Sequence, residues 1–109
     1  MKREEDQQAV RITQQFRSGE AMVYDLRSAN VRITMRISGR GGESSGPPAE
    51  WCIEARTGHS PESLVVAEWA PTRSEALRAV GKAWNSGTRD LPAIDWESVA
   101  RAMSAVRAI

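Results

Sequence analysis

Few residues in this chain are equipped for nucleophilic or metal chemistry. Its 109 residues include one cysteine, Cys52, and one histidine, His59. A thiol–imidazole pair works only when the two groups lie within hydrogen-bond reach. Cys52 falls in a strand pattern and His59 in the turn Gly58-His59-Ser60-Pro61-Glu62. The extended chain between them spans roughly 23 Å, so the pair would form only if the loop folded back sharply. A metal would need His59 together with carboxylates, and no two candidate ligands have motif spacing. Glu50, Glu54 and Glu68 could approach one another on neighbouring strands, but each has an arginine available as partner. The sequence therefore names no catalytic residue, metal ligand or cofactor, and it leans away from an enzyme. An enzyme of unknown reaction stays as a third reading, to be revived by a closed pocket around His59 or an unpaired glutamate.

Arginine offers a different chemistry. Fifteen basic residues stand against fourteen acidic, a net charge of +1, so no global field draws in polyanions or membranes. All the basic residues but Lys2 and Lys82 are arginines, whose forked guanidinium groups suit phosphate and carboxylate. A GC-rich coding bias accounts for the same excess. Strand phasing puts Arg27, Arg32, Arg36 and Arg56 on one polar sheet side, and Asp25, Glu50, Glu54 and Glu68 on that side too. Opposite charges on adjacent strands pair, which leaves such a face near neutral. Arg40, between Gly39 and Gly41-Gly42, would add a mobile basic finger. Arg27, Arg32, Arg36 and Arg40 are thus the candidate contacts for a single-stranded nucleic acid. Four tryptophans, Trp51, Trp69, Trp84 and Trp96, could serve as stacking platforms, but each is in phase with the apolar residues of its element, which predicts core packing.

The stretch Leu64 to Gly87 organises the elements that position these groups. The apolar run Leu64-Val65-Val66-Ala67 reads as a strand, stopped by Pro71. Thr72, with Glu75 three residues on, is a capping box for a helix whose stripe is Leu77, Val80 and Trp84. Gly87 is a candidate left-handed residue after that helix, and the internal Gly81 implies close approach of a neighbour. Asp95 caps a second helix with Trp96, Val99, Ala100, Met103 and Val106 on its apolar face.

Earlier in the chain, residues 9–17 are ambiguous between strand and helix, with strand favoured. Residues 21–28 set Met22, Tyr24 and Leu26 against Val23, Asp25 and Arg27, and residues 31–38 alternate without a break. Residues 50–57 place Trp51, Ile53 and Ala55 together. If Val65, Ala67 and Trp69 face the helices, then Leu64 and Val66 point outward and join Val23. Apolar groups among charges suggest a partner surface, so Val23, Leu64 and Val66 are the candidate interface.

The expectation is one α+β domain over 9–109: an antiparallel meander of four to five strands, then two C-terminal helices packed on one sheet face. Residues 1–8 are expected to fray, and 39–49 to form a flexible loop. The order of curved antiparallel strands followed by a helix is similar to PUR-type and Whirly-type single-strand-binding folds, a likeness of architecture that carries no residue across. With one cysteine and no apolar segment of membrane-spanning length, a cytoplasmic protein is expected. The leading functional expectation is a non-enzymatic interaction module, self-associating as a homodimer or binding another protein through the open sheet face or a sheet edge. Single-stranded nucleic-acid binding is the alternative.

Overall fold

The computed structural model describes residues 9–28, 31–41, 48–58, 60–87 and 90–107. Five strands, β1 (Arg11–Ser18), β2 (Ala21–Arg27), β3 (Arg32–Arg40), β4 (Glu50–Arg56) and β5 (Leu64–Ala70), form one antiparallel sheet in sequence order. Two helices follow, α1 (Arg73–Gly87) and α2 (Trp96–Arg107). This is the expected meander followed by helices, and residues 11–18 are strand. The segments 1–8 and 42–47, and His59, lie outside the described residues, so the expectations for a frayed start, most of the glycine-rich loop and the Cys52–His59 pair are not addressed. Gly39 and Arg40, expected in that loop, instead complete β3.

Alternation sets the inner face. Met22, Tyr24 and Leu26 on β2 align with Ile37, Met35 and Ile33 on β3, and Met35 and Ile37 align with Ala55 and Ile53 on β4. All but the half-buried Met22 are buried. The β1–β2 turn is Gly19-Glu20, with Gly19 at φ +63° and Glu20 outside the positive-φ region. A glycine alone at positive φ in the first turn position is the signature of a type II′ hairpin, whose twist matches the strands it joins.

The helices cover that inner face, α1 over β4 and β5 and α2 against β1. Thr72 Oγ1 accepts the Glu75 amide at 3.1 Å, so the expected cap forms. Ala76, Leu77, Val80, Gly81 and Trp84 make the buried stripe. Trp84 Nε1 donates to Pro92 O at 3.0 Å, and the Asn85 amide both donates to Ile94 O and accepts from Ile94 N at 2.9 Å. These three bonds hold the connector against the end of α1. Asp95 Oδ1 then accepts the Ser98 amide at 3.3 Å and starts α2. Trp96 meets Trp84 edge to face, with ring centroids 5.9 Å apart. Gly81 makes room for it: a Cβ there would lie 2.7 Å from Trp96 Cγ. Gly87 departs from expectation. It is the last residue of α1 and has no positive φ, so the helix ends without a left-handed glycine at that position.

Two irregularities shift strand phase. In β1, Ile12 pairs with Leu26 and Gln14 with Asp25, so Thr13 is extra. In β5, Val66 pairs with Ala55 and Leu64 with Arg56, so Val65 is extra. Such bulges reverse the alternation beyond them. Ile12 therefore faces the core and Phe16 the opposite side. On β5, Val66, Glu68 and Ala70 share the face of Ala55, Ile53 and Trp51, while Ala67 and Trp69 face away. This corrects three expectations: Val66 packs on the core, Glu68 leaves the polar side, and Trp69 is not a core residue. The cause lies in the ladder, since once β4 turns Trp51, Ile53 and Ala55 inward its partners must follow.

Gly81→Ala should destabilise by about 1–3 kcal/mol, because Trp96 must move. Asn85→Ala should cost about 1–3 kcal/mol by stranding the Ile94 amide and carbonyl. Urea unfolding midpoints with unchanged slope would register both losses.

A candidate binding face

The outer face of the sheet is covered by neither helix, and the pairings resolve it into rows across the strands. Arg11, Arg27 and Arg32 align at one end, followed by Gln14, Asp25, Thr34, Arg56 and Leu64. Next come Phe16, Val23, Arg36, Glu54 and Ala67. Ser38, Cys52 and Trp69 align beyond them, and Arg40 pairs with Glu50 at the far end.

The exposed large hydrophobic side chains among the described residues are Phe16 at 37%, Leu64 at 42% and Trp69 at 47%. All three belong to this face. Trp69 carries the Arg40 guanidinium over its ring, 4.2 Å from the centroid. Arg40 also reaches Glu50 at 3.7 Å, so two weak contacts hold one exposed side chain. Arg56 pairs with Glu54 at 3.3 Å. Asp25 Oδ1 accepts the Thr34 hydroxyl at 3.3 Å. Among the described residues no carboxylate lies within 4.0 Å of Arg11, Arg27, Arg32 or Arg36. The face carries six arginines against three carboxylates, because Glu68 belongs to the other side.

The expected nucleic-acid contacts Arg27, Arg32, Arg36 and Arg40 all lie on this face. The expected interface residues separate. Val23 is there but buried at the base, flanked in register by Phe16 and Arg36; Leu64 is exposed; Val66 is turned to the core. Sequence reasoning missed Phe16, Trp69 and Arg11. The bulges hid the first two, and Arg11 emerges only from the register that sets it beside Arg27.

Cys52 is buried on this face, and its thiol pKa is pushed up by burial and, next, by Glu54. A thiol held protonated is a poor nucleophile. Among the described residues no three His, Cys, Asp or Glu side chains cluster to hold a metal. Among the described residues no helix is long and apolar enough to cross a membrane. A concavity of about 720 Å³ is an open groove between α1 and α2 that includes Arg73, Lys82, Asn85, Asp95 and Trp96. Of the polar groups that line it, Asn85 is bonded to Ile94, and Asp95 to Ser98 and, at 4.0 Å, Arg101, whereas the buried Trp96 Nε1 has no hydrogen-bond partner among the described residues. No protein-family model, curated protein or solved structure matches the chain.

The split between exposed and buried tryptophan is measurable. Trp84→Ala should cost about 3–5 kcal/mol, as for a fully buried aromatic. Trp69→Ala should change stability by less than about 1 kcal/mol, the scale of an exposed cation–π contact. Denaturant unfolding of the two variants gives the comparison.

Proposed function

We propose that this chain is a single-stranded nucleic-acid-binding module that works through the outer sheet face. The observation that carries the reading is the placement of exposed Phe16 and Trp69 on the same face as four arginines without a carboxylate partner among the described residues. Phe16 on β1 and Trp69 on β5 are four strand spacings apart, about 19 Å across the sheet. A strand laid across β1–β5 would stack bases on the two rings and set its phosphates against Arg32 and Arg36. Each stacked base contributes about 1–3 kcal/mol and tolerates any base, because every base has a π face. Arg40 now rests on Trp69, and an arriving base would displace it toward phosphate.

A second reading has one observation in its favour. Leu64 is exposed and has no role in binding a strand, whereas three exposed apolar side chains on one face, Leu64, Phe16 and Trp69, suit a second copy of this chain. Light scattering at high concentration decides it: a dimer that dissociates on Trp69→Glu supports self-association, and a strict monomer opposes it.

For the leading reading, fluorescence anisotropy of a labelled single-stranded oligonucleotide at rising salt is the test. With four phosphates neutralised, log K should fall against log salt with a slope of about −3. Arg32→Glu combined with Arg36→Glu should abolish binding, and unchanged affinity in that double variant would remove this surface from consideration.

A further inference from the structure

We infer that the Arg11–Arg27–Arg32 row is an anchor for a terminal phosphate of the bound strand, so that the face prefers a phosphomonoester end to a hydroxyl end. The inference rests on the nucleic-acid reading above and adds which group is held, and where. Arg11 is the direct partner of Arg27, and Arg27 of Arg32, so three like charges stand side by side on β1, β2 and β3. All three are exposed. Like charges directly opposite one another are destabilising, and nothing in the folding of the sheet requires them. The row borders a recess of about 350 Å³ lined by Ala9, Val10, Arg11, Arg27 and Ser28.

The number and spacing of the arginines select the ligand. The outer two are two strand spacings apart, about 10 Å, so all three side chains can converge on one group above Arg27. A phosphodiester offers two free oxygens and one negative charge. A phosphomonoester offers three oxygens and, above its second pKa near 6, about two charges. Three forked donors match the second group better, since each guanidinium can pair with an oxygen edge. Among the described residues, the other charged or polar groups near the row are Gln14 on β1, Asp25 on β2, Ser28 after it, Thr34 and Arg36 on β3 and Arg56 on β4. Asp25 accepts the Thr34 hydroxyl and is within 4.0 Å of none of the three arginines.

The test compares one oligonucleotide sequence in three forms, with a 5′-phosphate, with a 3′-phosphate, and with hydroxyls at both ends, by anisotropy at fixed salt. One phosphorylated form should bind at least about tenfold tighter than the hydroxyl form, a difference near 1.4 kcal/mol. The preference should fade below about pH 6, where the terminal phosphate loses its second charge. The hydroxyl form, followed over the same pH range, serves as the control for any pH dependence that does not come from the terminal phosphate. The Arg11→Gln, Arg27→Gln double variant, which keeps Arg32 and Arg36, should lose the preference while its unfolding midpoint holds or rises. Equal binding of the three forms, or a preference that survives in the double variant, overturns the anchor and leaves the nucleic-acid reading standing. Failure of every form to bind overturns both.

Discussion

Trp84 is fully buried where α1 crosses the inner face of the sheet, and much of the fold depends on how it is held. Its ring meets Trp96 edge to face and its Nε1 is satisfied by Pro92 O. Asn85, the next residue, locks Ile94 with a pair of bonds like those of a strand ladder. Together these contacts fix the connector, the start of α2 and the depth to which both helices settle. Gly81 is the small residue that permits that depth. One consequence is asymmetry: both helices are committed to the same side, and the opposite side of a five-stranded sheet is left without a helical cover.

The uncovered side is more than the leftover half of a sandwich. An ordinary solvated face sets polar residues in cross-strand pairs of opposite charge, and part of this one does, through Arg40 with Glu50 and Arg56 with Glu54. The remainder departs from that pattern. Arginine stands opposite arginine at one end, and half-exposed aromatic rings sit on the two outer strands. Each departure works against stability or solubility, and stacking and phosphate contact would turn both to use. Chemistry at Cys52 has no such support, because burial and Glu54 keep the thiol protonated.

Most of the architecture was legible in the sequence because binary patterning is strong wherever a strand is regular. Residues 21–27 and 32–38 alternate cleanly, and every side chain there points as read. The helix caps at Thr72 and Asp95 were equally plain, since capping chemistry is local. The errors of strand phase trace to Thr13 and Val65, the two extra residues. A bulge has little composition of its own, and each reverses the strand beyond it. In β5 the apolar run Leu64 to Ala67 offers either phase, and the bulkier set containing Trp69 is the natural choice from sequence. Pairing with β4 selects the other set and turns Trp69 outward. That single reversal moves Glu68 off the outer face and brings an aromatic onto it. Together with Arg11 and Arg40, which the register adds to this side, and Phe16, which the β1 bulge turns onto it, the reversal changes the face from near-neutral and polar to basic and aromatic.

The central claim is that this outer face is the working surface of the protein. Amide chemical-shift mapping during titration with a short single-stranded oligonucleotide tests it most directly. The account predicts shifts concentrated at Phe16, Val23, Arg32, Arg36 and Trp69, with the helical residues Lys82, Glu97 and Ala100 unmoved. Shifts centred on the groove between α1 and α2, or no shifts at all at low salt, would contradict it.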